Sequence, residues 1–160
     1  MITNRPRSGI VAIDLFCGVG GLTHGLVRGG VDVRAGVDID LACRYPFESN
    51  NPAEFIERDV NEIDADEIAA LWDGDDRYKL LAGCAPCQPF STYSRSGRGR
   101  GKKRESDWRL VSSFGRLIKQ LQPDLVTMEN VPPLEDHEVF QDFLVKLDGY
   151  HKKWSVVECS

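Results

Sequence analysis

Two cysteines three positions apart are the first feature of this chain that could carry chemistry. Cys84 and Cys87 lie in the stretch GCAPCQPFS at residues 83–91. A structural zinc site usually needs two such pairs, but the chain has no second C-x-x-C and its three histidines are far apart in sequence. A thioredoxin-type redox pair opens a helix, whereas Pro89 delays any helix here. The pattern therefore favours a single reactive thiol.

A glycine-rich turn is the second candidate site. The stretch DLFCGVGGLTHGL at residues 14–26 follows an apolar run and precedes a helical pattern. Such turns bind ligands at the carboxyl edge of an open α/β sheet. Gly18 and Gly20 match the dinucleotide fingerprint, but Thr23 occupies its third glycine position. A ligand that needs close backbone approach but carries no phosphate fits this turn better, and S-adenosylmethionine is such a ligand.

Acidic side chains lie at the C-terminal ends of three of the predicted strands. Asp38 comes twenty residues after Gly18, where an acid commonly accepts hydrogen bonds from ribose hydroxyls. Asp59 ends the third predicted strand and could reach an adenine amino group. With both acids present, ligand binding is favoured over the alternative that the glycines only permit tight strand–helix packing. Glu129, in MENVPP at residues 128–133, would project toward the same crevice. A thiol, a carboxylate and a methyl donor at one edge suggest covalent catalysis on an electron-poor ring.

The elements that must position these residues alternate between short apolar runs and helical patterns, which is typical of a parallel sheet covered by helices. We predict strands at residues 10–16, 32–40, 54–60, 78–83 and 124–130, with a sixth beginning in KWSVVECS at residues 153–160. Predicted helices run from the glycine turn to residue 29, between residues 40 and 50, and over 63–74, 108–123 and 134–150. The predicted fold class is α/β, a doubly wound and mostly parallel sheet that looks incomplete at its C-terminal end.

The composition indicates one ordinary globular domain over residues 1–160. Hydrophobic residues make up 41% of the chain and charged residues 28%. No apolar run approaches the roughly 18 residues of a membrane span, and no secretory signal is recognisable. The five cysteines are an odd number, so we expect reduced thiols and a cytoplasmic location. The net charge is −5, yet residues 95–104 hold six cations and no acid, which favours a polyanion bound at one place.

The motifs DLFCGVGG, APCQPFS and MENV, in this order and spacing, resemble the DNA cytosine-C5 methyltransferase family. The resemblance covers nearly the whole chain and implies the Rossmann-like fold of S-adenosylmethionine-dependent methyltransferases. It implies methyl transfer from S-adenosylmethionine to carbon 5 of cytosine in double-stranded DNA, with S-adenosylhomocysteine as product. Cys87 matches the nucleophile that attacks ring carbon 6, and Glu129 matches the residue that hydrogen-bonds ring nitrogen 3 and the exocyclic amine. Arg109 matches an arginine near both. The residues that match cofactor contacts are Phe16, Gly18, Gly20, Asp38, Ile39 and Asp59, and no metal is implied.

The resemblance also has consequences for the partners of the chain. Carbon 6 is shielded in stacked duplex, so base flipping is implied, and the basic segment after Cys87 would close over the flipped cytosine. Family members continue into a target-recognition domain, so we expect an N-terminal catalytic portion that is inactive or weakly active without a C-terminal portion or second subunit. A restriction–modification setting is implied. Two alternatives stay open: cytosine methylation of RNA, and a non-catalytic module that binds nucleic acid or cofactor. We expect Cys84 to be a small buried side chain.

Overall fold

A five-stranded parallel sheet organises the chain. The structure, a computed structural model, describes residues 9–86 and 103–157. In the second of these ranges, side chains are described from residue 109 onward. The strand order is β3-β2-β1-β4-β5, and every neighbouring pair is parallel. The strands are β1 (Ile10–Leu15), β2 (Asp32–Asp38), β3 (Glu54–Glu57), β4 (Tyr78–Gly83) and β5 (Leu125–Met128). The helices are α1 (Gly21–Arg28), α2 (Arg44–Asn50), α3 (Ala65–Ala70), α4 (Lys103–Leu121) and α5 (Glu138–Lys146).

Helices cover both faces of the sheet because successive side chains of a strand point to opposite faces. On β1, Val11, Ile13 and Leu15 face a core formed with apolar side chains of α3, α4 and α5. Ala12 faces the other core, where Phe47 of α2 and side chains of α1 pack. All of these β1 side chains are fully buried. A strand that is buried on both faces reads as a continuous apolar run, so the prediction of a doubly wound α/β sheet is confirmed.

Several predicted boundaries differ from the observed ones. The third strand ends at Glu57, and the segment predicted as a helix over residues 134–150 is a 3-10 turn (Pro132–Leu134) followed by α5. This break has a local cause, because the ring of His137 accepts a hydrogen bond from the amide of Val139 and caps α5. Helix α4 begins at Lys103, five residues before the predicted start, within a stretch whose Lys, Arg and Glu favour helix.

The prediction of a sixth strand in residues 153–160 is wrong for residues 153–157, which form no strand. Residues 158–160 lie outside the described part of the chain. Trp154 packs edge-on against Phe140 of α5 and donates a hydrogen bond to Glu135 at 2.9 Å. Val156 and Val157 are exposed. The β-favouring residue types are present, but strand formation also needs a neighbouring strand and a surface to pack on. No helix in the described ranges is long and apolar enough to cross a membrane.

Candidate active site and cofactor site

The glycine turn between β1 and α1 has backbone conformations that residues with a side chain rarely adopt. Phe16, Gly18 and Gly20 have φ angles of 58°, 49° and 90°. The amide of Gly20 donates to the carbonyl of Cys17 at 2.8 Å, which closes a tight turn. A Cβ atom on Gly20 would lie 2.4 Å from Nδ2 of Asn51 and 2.8 Å from the Phe47 ring. The second glycine is therefore needed both for its conformation and for the close approach of α2.

Asp38 ties the glycine turn to the end of β2. One carboxylate oxygen accepts a hydrogen bond from the amide of Gly18, and the other accepts one from the amide of Asp40, both at 2.9 Å. The adjacent Ile39 side chain is 65% exposed. A half-buried carboxylate with free lone pairs beside an exposed apolar side chain suits a ligand with hydroxyl donors and a flat ring. The geometry thus brings together Gly18, Asp38 and Ile39 of the predicted cofactor set.

Asn51 is a further support of the turn that the sequence analysis did not identify. Its buried side-chain amide donates to the carbonyl of Phe47 at 3.0 Å and to that of Gly20 at 3.4 Å. The one sequence signal for Asn51 is its position directly after the predicted helix that ends at residue 50. The side-chain amide of Asn51 therefore bridges α2 and the glycine turn and fixes the position of Gly20.

Asp14 is a buried carboxylate at the end of β1. Its Oδ2 accepts a hydrogen bond from the hydroxyl of Thr23 at 2.6 Å, whereas its Oδ1 has no partner among the described residues. Burial raises the pKa of Asp14 from an ordinary 3.8 to about 6; the Thr23 hydrogen bonds oppose this rise, and the nearby negative charges of Asp38 and Glu129 add to it. The sequence alone marks Asp14 only as the first residue of the glycine-rich stretch. With a pKa of about 6, Asp14 changes its charge between acidic and neutral pH.

The buried charge of Asp14 should lower stability at neutral pH. A carboxyl group whose pKa is raised in the folded state stabilises the fold most at pH values below its unfolded-state pKa. That stabilisation is lost as the pH rises through the folded-state pKa of about 6. We expect Asp14→Asn to raise the free energy of unfolding above that of the unsubstituted chain. This increase should be about 2–3 kcal/mol larger at pH 7.5 than at pH 4. Urea unfolding at the two pH values measures this change. Asp73→Asn, which removes an exposed carboxylate, is the matched control and should show a much smaller change.

The ends of β4 and β5 are held side by side. The amide of Glu129 donates to the carbonyl of Gly83 at 3.1 Å, and Nδ2 of Asn130 donates to the carbonyl of Ala85 at 2.9 Å. Glu129 is exposed, and its negative charge acts on the carboxyl of Asp14 and on the thiol of Cys84. Its side chain therefore lies at the same sheet edge as the glycine turn and the start of the cysteine segment. Cys87 itself lies outside the described residues.

The prediction that Cys84 is buried is wrong, because its side chain is exposed. Strand β4 ends one residue earlier, and Ala85 takes the buried position instead. The surrounding protein still desolvates the sulfur in part, and this effect, with the negative charges of Glu129 and Asp14, raises the pKa of the Cys84 thiol. A thiol with a raised pKa carries little thiolate at neutral pH and is a poor nucleophile.

Asp59 and Arg109 line a second, open groove of about 560 Å³ between the end of β3 and helix α4. Oδ1 of Asp59 accepts hydrogen bonds from the amide and the side chain of Asn61 at 2.8 and 2.9 Å. Arg116 supports this wall by donating to the carbonyls of Val60 and Ile63. Arg109 is exposed, and no hydrogen bond or ion pair within the described residues joins it to Glu129. The structure thus brings Arg109 together with Asp59, the residue expected to contact adenine.

Comparison with known proteins decides the family. A family model described as C-5 cytosine-specific DNA methylase matches residues 10–160. The chain belongs to this methylase family. The type II methylase M.HgiDII of Herpetosiphon aurantiacus is 47% identical over 152 residues, which cover 92% of this chain and 41% of that protein. The type II methyltransferase M.NgoMIV of Neisseria gonorrhoeae is 33% identical over 153 residues, which cover 91% of this chain and 45% of that protein.

Solved structures support the same assignment of the methylase. A prophage-encoded DNA modification methyltransferase of E. coli matches with a TM-score of 0.69 and 28% identity over 88% of this chain and 38% of that one. The Schizosaccharomyces pombe Dnmt2 methyltransferase matches with a TM-score of 0.63 over 86% of this chain and 39% of that one; at 18% identity it shows the shared fold. The methylase chain described here spans less than half of the length of these relatives.

Proposed function

We propose that this chain is the catalytic portion of an enzyme that methylates carbon 5 of cytosine in double-stranded DNA, as part of a restriction–modification system in the cytoplasm. The observation that carries the proposal is the joined ends of β4 and β5. Asn130 fixes the backbone two residues before Cys87, and Glu129 stands beside the glycine turn. A nucleophile, a hydrogen-bonding carboxyl group and a cofactor site would then share one crevice.

The residues around the glycine turn fit S-adenosylmethionine. The turn allows close backbone approach at Gly18 and Gly20, Asp38 offers carboxylate oxygens to ribose hydroxyls, and Ile39 offers an exposed apolar surface to adenine. Asp59 would accept from the adenine amino group, and Phe16, which packs edge-on against Phe114, would form one wall. When bound, the cofactor supplies an electrophilic methyl group.

The protein residues would perform the remaining chemistry on the cytosine ring. The Cys87 thiolate attacks carbon 6, and the ring electrons move toward nitrogen 3, where Glu129 stabilises them by hydrogen bonding. Carbon 5 becomes nucleophilic and takes the methyl group. Loss of the proton from carbon 5 and release of the Cys87 thiolate then restore the aromatic ring. Because carbon 6 is shielded in duplex DNA, the cytosine must leave the stack, and we propose that cations in residues 95–104 contact the flanking phosphates.

The substrate is tested with cofactor that carries a labelled methyl group. Since the chain covers 41% of M.HgiDII, the assay uses the chain alone and the chain mixed with the remaining part of that relative. We expect label at carbon 5 of cytosine in duplex DNA for the mixture, and at least a hundredfold less for the chain alone, because the chain spans less than half of that relative's length.

Two control substrates sharpen this assay. A duplex in which every cytosine is already 5-methylcytosine should take up no label. A cytosine-containing RNA should also stay unlabelled, and label in RNA but not in DNA would replace the proposal with the RNA alternative. Absence of label from both nucleic acids in the completed mixture would favour a non-catalytic binding module.

A further inference from the structure

One face of helix α4 is hydrogen-bonded to the loop that follows β3. Arg116 donates to the carbonyls of Val60 and Ile63 at 3.2 and 3.1 Å. The hydroxyl of Ser113 donates to Oδ1 of Asn61 at 2.8 Å. Ser113 and Arg116 are three positions apart, so they lie on the same face of the helix. The bonded residues are separated by 52 to 56 positions in the chain, and only the tertiary fold brings them into contact.

Asn61 connects this face of α4 to the carboxylate of Asp59. The backbone amide and the side-chain Nδ2 of Asn61 both donate to Oδ1 of Asp59, at 2.8 and 2.9 Å. A carboxylate can only accept hydrogen bonds, so the amide nitrogen of Asn61 faces Asp59 and its amide oxygen faces Ser113. A continuous series of hydrogen bonds therefore runs from α4 through Asn61 to Asp59.

This series of hydrogen bonds leaves one oxygen of Asp59 for a ligand. Oδ1 of Asp59 accepts two hydrogen bonds, whereas Oδ2 accepts none from the residues that the structure describes. Asp59, Asn61 and Ser113 all line the open groove between the end of β3 and α4. Because two donors hold one oxygen of the half-buried carboxylate, its other oxygen is an acceptor with a defined position.

We propose that Asn61 and Ser113 are positioning residues that set the preference of the methylase for a purine with a 6-amino group. This inference rests on the proposed function, in which Asp59 accepts a hydrogen bond from the adenine amino group. Ser113 fixes the side chain of Asn61, and Asn61 fixes the carboxylate of Asp59, so that Oδ2 of Asp59 is placed for a donor. An oxygen at carbon 6 of the purine would bring a second acceptor to the same carboxylate, and the two oxygens would repel each other.

Isothermal titration calorimetry measures this preference with two ligands that differ only in the purine base. S-adenosylhomocysteine carries the 6-amino group, and S-inosylhomocysteine carries an oxygen in its place. We expect the unsubstituted chain to bind S-adenosylhomocysteine about tenfold more tightly, which is the effect of one well-placed hydrogen bond.

Two alanine variants test the two positioning residues. Asn61→Ala removes the side-chain donor to Asp59, and Ser113→Ala removes the hydroxyl that holds Asn61. Each variant should lower the ratio of the two affinities to about threefold or less, because the carboxylate is then free to turn. The affinity for S-inosylhomocysteine should not fall in either variant. A structural role alone would instead weaken the binding of both ligands equally and leave the ratio unchanged.

Two further serine variants are matched controls. Ser112 is adjacent to Ser113 and lines the same groove, but its hydroxyl forms no hydrogen bond to Asn61. Ser112→Ala should therefore keep the affinity ratio of the unsubstituted chain. Ser113→Thr retains a hydroxyl group at the position that contacts Asn61, and it should keep the preference that Ser113→Ala loses.

The outcomes distinguish this inference from the proposed function. An unchanged ratio in either alanine variant overturns the positioning role of that residue and leaves the methyltransferase proposal standing. Equal affinity of the unsubstituted chain for the two ligands overturns the inference together with the contact between Asp59 and the amino group. If neither ligand binds, to the chain alone or to the chain mixed with the remaining part of M.HgiDII, both the inference and the assigned cofactor are wrong.

Discussion

Replacing Cys87 with serine will abolish the covalent complex with DNA that contains 5-fluorocytosine. Fluorine at carbon 5 cannot leave as a proton does, so a cysteine adduct that has accepted the methyl group accumulates. A serine hydroxyl forms almost no oxyanion at neutral pH and cannot replace a thiolate as nucleophile. The expected change is complete loss of the slower-migrating protein–DNA band on a denaturing gel, with cofactor and the completing part of M.HgiDII present.

The matched control is Cys84→Ser, three residues away. Cys84 is exposed and close to Glu129, but its raised pKa keeps the thiol protonated. We therefore expect this variant to form the adduct in nearly the amount of the unsubstituted chain. Loss of the adduct in Cys84→Ser and its retention in Cys87→Ser would reverse the assignment. No adduct in any variant, with labelled duplex and cofactor present, would contradict covalent catalysis.

The second large effect is expected from Gly20→Ala. Alanine at φ 90° is strained, and its Cβ would lie 2.4 Å from the Asn51 amide and 2.8 Å from the fully buried Phe47 ring. The strain and the overpacking together should lower the free energy of unfolding by about 2–4 kcal/mol. Thermal and urea unfolding measure the loss, and cofactor titration should show weakened binding because the turn is displaced.

The neighbouring Gly21→Ala provides a control with the same chemical change. Gly21 is the first residue of α1, has no positive φ, and a Cβ there meets no atom within 4 Å. Alanine at this helical position should leave stability unchanged or raise it by up to about 1 kcal/mol. Equal destabilisation by both substitutions would show that the glycines serve backbone flexibility and not the close approach of α2.

Much of the fold could be predicted because its determinants are local. β4 was predicted at its observed bounds, and β1 within one residue, since buried parallel strands are continuous apolar runs between turn residues. The acid at the end of β2 could be identified from its separation from the glycine turn along the sequence. The observed hydrogen bond between Asp38 and Gly18 shows that the two meet in the fold. The ends of helices and strands were harder to predict. A capping residue such as His137 acts only when the backbone before the helix has the right conformation.

Sequence alone determined the order of the motifs and therefore the family, since the residue types at the strand ends suffice to recognise its members. Only the tertiary structure decided which side chains lack partners and which distant groups meet. The bridge from Asn130 to Ala85 and the groove lined by both Arg109 and Asp59 bring together residues that are far apart in the chain. The unpaired oxygen of Asp14 depends on the elements that pack around it. The physical reason is that burial and hydrogen bonding depend on packing across the sheet, whereas a sequence pattern records only neighbours along the chain.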